Sequence, residues 1–158
     1  MHTKLKLLSL SSLLALSHYA HADWVDDAVA ANDAHVIQLR EHIHQHPELG
    51  NIEFETSKLV QKELKSYGIE VKTGYAKTGV IGILKGAKPG PVMAMRADMD
   101  ALPMAEKTGL AYASKAKAIY QGKESPVMHA CGHDAHTAML LGAAKVLAQN
   151  KQELAGTV

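Results

Sequence analysis

The nine residues Met128-His-Ala-Cys-Gly-His-Asp-Ala-His136 bring the only cysteine of the chain together with three histidines and an aspartate. Thiolate, imidazole and carboxylate are the side chains that bind zinc and related transition ions. Cys131 and His133 stand two residues apart, so on a loop both can face one ion. Gly132 lets the backbone turn between them, and an apolar helical pattern follows directly. Asp134 and His136 come next, where partners that orient metal ligands are needed. A buried cysteine beside helix-capping histidines is the plainer alternative for the same residues.

A second constellation is Arg96-Ala-Asp-Met-Asp-Ala-Leu-Pro103. It lies where a strand pattern runs out into a loop, and in open α/β sheets the ligand crevice lies beyond the carboxyl ends of strands. Asp98 and Asp100 could hold a cation directly or orient the imidazole of a ligand. A solvated acidic turn closed by Pro103 would have the same spacing. His42, His44 and His46 form a third group. His42 and His46 are one helical turn apart, which is a possible metal pair. His44 points elsewhere, and a helix C-terminus favours partial positive charge. The three are therefore read as solvent-facing or capping, with a substrate-side or structural place for His46 beside Pro47.

The elements that must position these groups follow from periodicity. Val25, Val29, Val36, Ile37, Leu39 and Ile43 predict a helix over 24–46, stopped by Pro47 and Gly50. A second amphipathic helix spans 55–67 with Leu59, Val60, Leu64 and Tyr67 on its apolar side, Gly68 closing it and Thr56 or a neighbour capping it. Strands are expected at 69–73, 79–85 and 92–97, with Lys88-Pro-Gly-Pro91 as a turn. These strands are expected to be neighbours in one sheet. The stretch 102–125 has no firm period and reads as a functional loop region. A strong helix runs to about Gln149 with Met139, Leu140, Ala143, Val146 and Leu147 as its buried stripe. The class is α/β, with helices packed on a mixed sheet.

Composition excludes some functions. The 158 residues carry a formal charge of +1 and 21% charged side chains, so nothing favours nucleic acid as a partner, and one Trp with one Phe gives no platform for stacking bases. The first 22 residues form a secretory signal pattern: Lys4 and Lys6, an apolar run from Leu7 to Leu16, and Ala20-His21-Ala22 before a cut at Asp23. That run is too short to span a bilayer, so no stable membrane anchor is expected after cleavage, and residues 23–158 form the domain. Export makes the lone thiol of Cys131 a liability unless it is buried or bound, and ligation would protect it.

Three motifs now stand in one order: His44-Gln-His-Pro-Glu-Leu-Gly50, Arg96 to Pro103, and Met128 to Thr137. Together, from about Val36 onward, they resemble the amidohydrolase branch of the aminoacylase and carboxypeptidase G metallopeptidases. Hippurate hydrolases, auxin-conjugate hydrolases and N-acyl-amino-acid deacylases belong to that branch. The resemblance implies part of a three-layer zinc-exopeptidase-like catalytic domain, without the lid domain. It implies hydrolysis of the amide bond of a small N-acyl amino acid by water activated at two divalent ions (Zn, Mn, Co or Ni), with a glutamate as general base. Cys131 and His133 map onto metal ligands and Asp100 onto an orienting carboxylate. Asp98, Asp134, His136 and His46 fall to supporting or substrate-side places. The family's glutamate pair follows a strand that here only begins near Ala155, so no residue matches the base, and Glu153 precedes that strand. The signal pattern carries the expectation of an exported, periplasmic chain, and the resemblance that of a chain that does not catalyse by itself and of a full-length enzyme that can form homo-oligomers. A small periplasmic metal-binding protein without catalysis is the alternative reading.

Overall fold

A computed structural model describes residues 23–158; the signal pattern lies outside the described residues. The chain opens with helix α1 (Asp23–Gln45) and helix α2 (Phe54–Ser66). Strands β1 (Glu70–Tyr75), β2 (Gly79–Ile83) and β3 (Lys88–Val92) follow. Next come β4 (Lys117–Tyr120), β5 (Lys123–Pro126), helix α3 (His133–Gln149) and β6 (Ala155–Thr157). Both helices expected before residue 68 are present. The cap of α2 is not Thr56. Glu48, reaching from the preceding loop, accepts hydrogen bonds from the backbone N–H of Glu55 (3.1 Å) and Thr56 (2.8 Å) and from the Thr56 hydroxyl (2.9 Å). A carboxylate on those free N–H groups also answers the positive end of the helix dipole.

The strands form three two-stranded sheets and not a single ladder. β1 and β2 are an antiparallel hairpin, β3 and β6 pair in parallel, and β4 and β5 are a second hairpin. The first two are stitched together just past β2. Leu84 N–H donates to Val158 O (2.8 Å), Val158 N–H to Leu84 O (2.9 Å) and Gly86 N–H to Gly156 O (2.8 Å). The short β6 therefore bridges an antiparallel and a parallel neighbour, which makes the arrangement mixed, as expected.

Two strand expectations are corrected. Lys88–Val92, read as a turn, is the strand β3, because β6 offers a backbone partner on one side and an edge strand tolerates prolines. The stretch 94–100, read as a strand to Ala97, carries no strand. The last ladder bond before it is Met93 N–H to Thr157 O (2.9 Å). Alternation gives a strand its faces, but a ladder also needs a neighbour, and none of the described residues supplies one. Val92, Met93 and Met95 are exposed in consequence and, with Leu140, Ala144 and Leu147, line a cavity of about 990 Å³. The supposed loop region also contains the β4–β5 hairpin, whose KAIY and KESP segments are too short and too polar for period-two reading.

The core is Leu39 of α1, Val60 and Leu64 of α2, Ile69, Leu84, and Ala138 and Leu141 of α3. The buried stripe of α3 is therefore rotated from the expected one: Asp134, Thr137, Ala138, Leu141, Gly142 and Val146 face inward, while Met139 is 55% exposed. Hydropathy alone selects Met139 and Leu140; the helix instead turns its small and polar positions toward α1. Gly142 sets that approach, since a Cβ there would lie 2.5 Å from Val36 Cγ2. Valine has little χ1 freedom to retreat. Gly142→Val should destabilise the fold by about 1–3 kcal/mol through overpacking, and Val36→Ala should recover much of that loss. Urea unfolding of both single variants and the double variant checks this; a neutral Gly142→Val would contradict the packing.

Candidate metal centre

The site is assembled on a buried ion cluster between α1 and the start of α3. His44, on the last turn of α1, is sandwiched by two carboxylates. Its Nδ1 lies 2.8 Å from Asp134 Oδ2 and its Nε2 3.0 Å from Glu106 Oε1. The three side chains are 5%, 3% and 1% exposed. An ionised carboxylate only accepts, so each ring nitrogen must donate. Arg40, one turn earlier on α1, donates from Nε to the same Asp134 oxygen (3.1 Å) and from Nη1 to Tyr112 Oη (3.0 Å). Burial alone would raise both carboxyls. For Asp134, hydrogen bonds from His44 and the Ala135 N–H, with His129 and Arg40 nearby, bring it below its ordinary value. For Glu106, the Thr108 hydroxyl, the Ser114 N–H and His44 do the same. The expectation of a solvent-facing or capping His44 is corrected here: position 44 falls on the inner face of α1 next to Ile43, which is 1% exposed.

From this cluster the chain reaches the ligands. Asp134 fixes the first turn of α3, and the residue before it is His133. Gly132, at φ +90°, makes the turn into the helix in a conformation that L side chains rarely adopt. His133 Nδ1 is 2.9 Å from the Asp100 carbonyl oxygen and 3.0 Å from its carboxylate Oδ1. Its ring N–H is shared between those acceptors, which fixes the tautomer and leaves Nε2 as the free donor atom. Asp100 is itself held from behind: Ala101 N–H donates to Glu48 O (2.8 Å), and Leu102 and Met128 exchange backbone bonds of 2.9 and 3.0 Å. Leu49, Ala101 and Val127 form a small second core beneath these bonds. Cys131 is exposed.

Thiolate and imidazole suit zinc and similar ions. Cys131 and His133 supply two such donors; among the described residues no three of His, Cys, Asp and Glu converge on one ion-sized point. The two residues therefore offer two candidate donors and no more among the described residues.

The remaining sequence candidates are dispersed. The Asp98 carboxylate pairs with the exposed Arg96 (2.9 Å to Nε, 2.6 Å to Nη2), and that hydrogen bond holds it below its ordinary value. Its backbone carbonyl accepts from the Thr137 hydroxyl (3.0 Å), tying the loop to α3. Asp134 looks toward α1. His136 is exposed, its ring centroid 6.1 Å from that of His133. His46 is exposed and lines a different cleft, whose lining holds none of Asp100, Cys131 or His133.

Sequence reasoning gave no role to Glu106, Arg40, Tyr112 or His129. The first three join residues 62–94 positions apart, and no local spacing encodes such contacts. His129 did carry a signal. Val127 and His129 alternate with Met128 and are both buried. Neither ring nitrogen of His129 has a partner among the described residues. Burial, against the pull of the Asp134 charge, pushes the imidazole down to about 4 and holds it neutral.

Residues 94–158 match the profile of peptidase family M20/M25/M40. An N-acetyl-L-cysteine deacetylase of Bacillus subtilis (strain 168) is 50% identical over 123 residues, 78% of this chain and 28% of that protein. The IAA-amino acid hydrolase ILR1-like 5 of Arabidopsis thaliana is 51% identical over 123 residues, covering 78% and 26%. Among solved structures, the Bacillus subtilis YXEP protein, described as a dinuclear metal binding peptidase from the M20 family, superposes with a TM-score of 0.72. It shares 45% identity over 82% of this chain and 34% of that one. The chain thus resembles the M20 metallopeptidases in sequence and shares part of their catalytic fold. It spans about a quarter to a third of the length of these relatives.

Asp134 and Glu106 titrate lower folded than unfolded, so their stabilisation is complete above the unfolded carboxylate value and lost as pH falls through the folded one. His44→Ala would leave both buried without their shared donor. It should cost about 3–5 kcal/mol at neutral pH, and the gap to the parent should narrow as the carboxylates protonate. Urea unfolding across a pH series checks this; a small, pH-independent gap would contradict the cluster.

Proposed function

We propose that this chain carries the first part of the metal site of an exported amidohydrolase that cleaves the amide bond of small N-acyl amino acids. The observation that carries the reading is the anchoring of His133 Nδ1 on Asp100 (2.9 and 3.0 Å), with the exposed Cys131 two residues before it in the chain. Cys131 Sγ and His133 Nε2 would hold a divalent ion, two ions being taken by the whole protein. A metal bound there supplies Lewis acidity toward a carbonyl and an acidified water. The chain's own residues fix the ligands: Asp100 orients His133, Asp134 fixes the helix start from which it projects, and Gly132 separates the two donors. Asp98 and Thr137 hold the intervening loop.

The substrate class is supported by the relatives' names, since both an acetylated amino acid and an indole-acetyl amino acid conjugate join an acyl group to an amino acid through an amide. A hippurate-like benzoyl conjugate belongs to the same class. The leader pattern at 1–22 supports export, with the periplasm as destination. Of the described helices, none is long and apolar enough to cross a membrane. No described residue matches the general-base glutamate that the family resemblance implies, so the 158 residues alone are proposed to bind metal without turnover.

The test is a chimera in which this chain's matching 123 residues replace those of the Bacillus subtilis N-acetyl-L-cysteine deacetylase. With zinc, manganese, cobalt or nickel, the chimera should hydrolyse N-acetyl and N-benzoyl amino acids. Asp100→Ala should lower kcat/KM by about 10–100-fold, as loss of an orienting partner does, and Cys131→Ala should lower it further. A chimera indifferent to Cys131→Ala would overturn the assignment, and turnover by the 158-residue chain would overturn its proposed inactivity.

A further inference from the structure

His42 and His46 lie on the exposed side of the α1 terminus, away from Cys131 and His133. The helical spacing continues past the end of α1: His46 N–H donates to His42 O (3.2 Å) and to Ile43 O (3.2 Å). The two rings are therefore one turn apart on one face, their centroids 4.5 Å apart and their planes tilted by 36°. His46 Nδ1 lies 2.8 Å from the carbonyl oxygen of His42. A carbonyl only accepts, so Nδ1 carries the ring proton and Nε2 holds the lone pair. An imidazole whose Nδ1–H is tied to a backbone carbonyl has the tautomer and fixed orientation of a metal-ligating histidine.

The rings open onto a shared cleft. Both rings line a cleft of about 590 Å³ that Glu48 and Glu55 also border. Two backbone N–H groups and the Thr56 hydroxyl occupy the Glu48 carboxylate, and Lys58 pairs with Glu55. The cleft, which Lys115 also borders, therefore offers two imidazole rings beside two carboxylates that other donors already engage, with further coordination positions open.

We propose that His42 and His46 form an accessory transition-metal site that takes an imidazole-preferring divalent ion, with copper(II) bound more tightly than nickel(II) or zinc(II). Two neutral nitrogens with open positions favour copper by ligand type and by the general order of divalent affinities. This site is separate from the pair at Cys131 and His133 and stands whether or not that pair serves hydrolysis.

The experiment uses the full chain with Cys131→Ser, so that the thiolate does not compete. Copper(II) is added in substoichiometric steps while the histidine ring signals are followed by NMR. The rings of His42 and His46 should broaden together and first among the described histidines. His42→Ala should raise the copper needed to broaden the His46 ring by about tenfold or more, since loss of a ligand costs at least what loss of an outer partner does. His46→Ala should do the same to His42. Both side chains are exposed, so the variants should keep the parent's circular dichroism, and His136→Ala should leave the response unchanged. If the two rings broaden independently, if the single variants leave each other's response unaltered, or if zinc displaces copper at equal concentration, the proposal is overturned.

Discussion

The contact on which the rest depends is the burial of His44 between Asp134 and Glu106. Three ionisable side chains, all nearly out of contact with water, occupy one point where α1, the loop before β4 and α3 meet. A buried charged group without partners costs several kcal/mol, so these three define each other's positions. Arg40 and Tyr112 close the cluster on its outer side. If α1 rotated by one residue, His44 would leave its carboxylates and Ile43 would leave the interior.

What the cluster secures is the entry to α3. Asp134 cannot move without breaking with His44, so the two residues before it are held where the Gly132 turn sets them. The loop carrying Asp100 arrives from the other side, fastened by Glu48, Leu102 and Met128. His133 is then caught between two independently fixed segments, and only its Nε2 remains uncommitted. That is preorganisation of a ligand by its neighbours: the ring's orientation is settled by folding and not by the ion. Cys131 lies exposed, and among the described residues no group of three His, Cys, Asp or Glu includes it.

Much of this was legible in the sequence where chemistry and spacing are local. Cys131, His133 and Asp100 stood out by residue type, and α1, α2 and α3 stood out by period. The sheet was legible as segments but not as pairings. Ala94 to Ala97 continues a strand-like alternation yet has no ladder partner among the described residues, while the proline-bearing Lys88–Val92 has one in β6. Hydropathy misplaces the phase of α3 because the inner face includes Thr137, Ala138 and Gly142, small positions that a hydropathy count passes over. His44 was misread for the related reason that its partners lie 62 and 90 residues away. A buried ion cluster is a tertiary fact, and a single histidine on a helix carries no mark of it.

The central claim is that the His44 cluster presents Cys131 and His133 to a divalent ion. Cobalt(II) titration of the chain, followed by absorption, tests it most directly, because a coordinated thiolate adds a charge-transfer band in the near ultraviolet. The account predicts that band in the parent chain, its loss in Cys131→Ser, and weaker cobalt uptake in a folded His44→Asn variant. A band that survives Cys131→Ser, or cobalt uptake indifferent to His44→Asn, would contradict it.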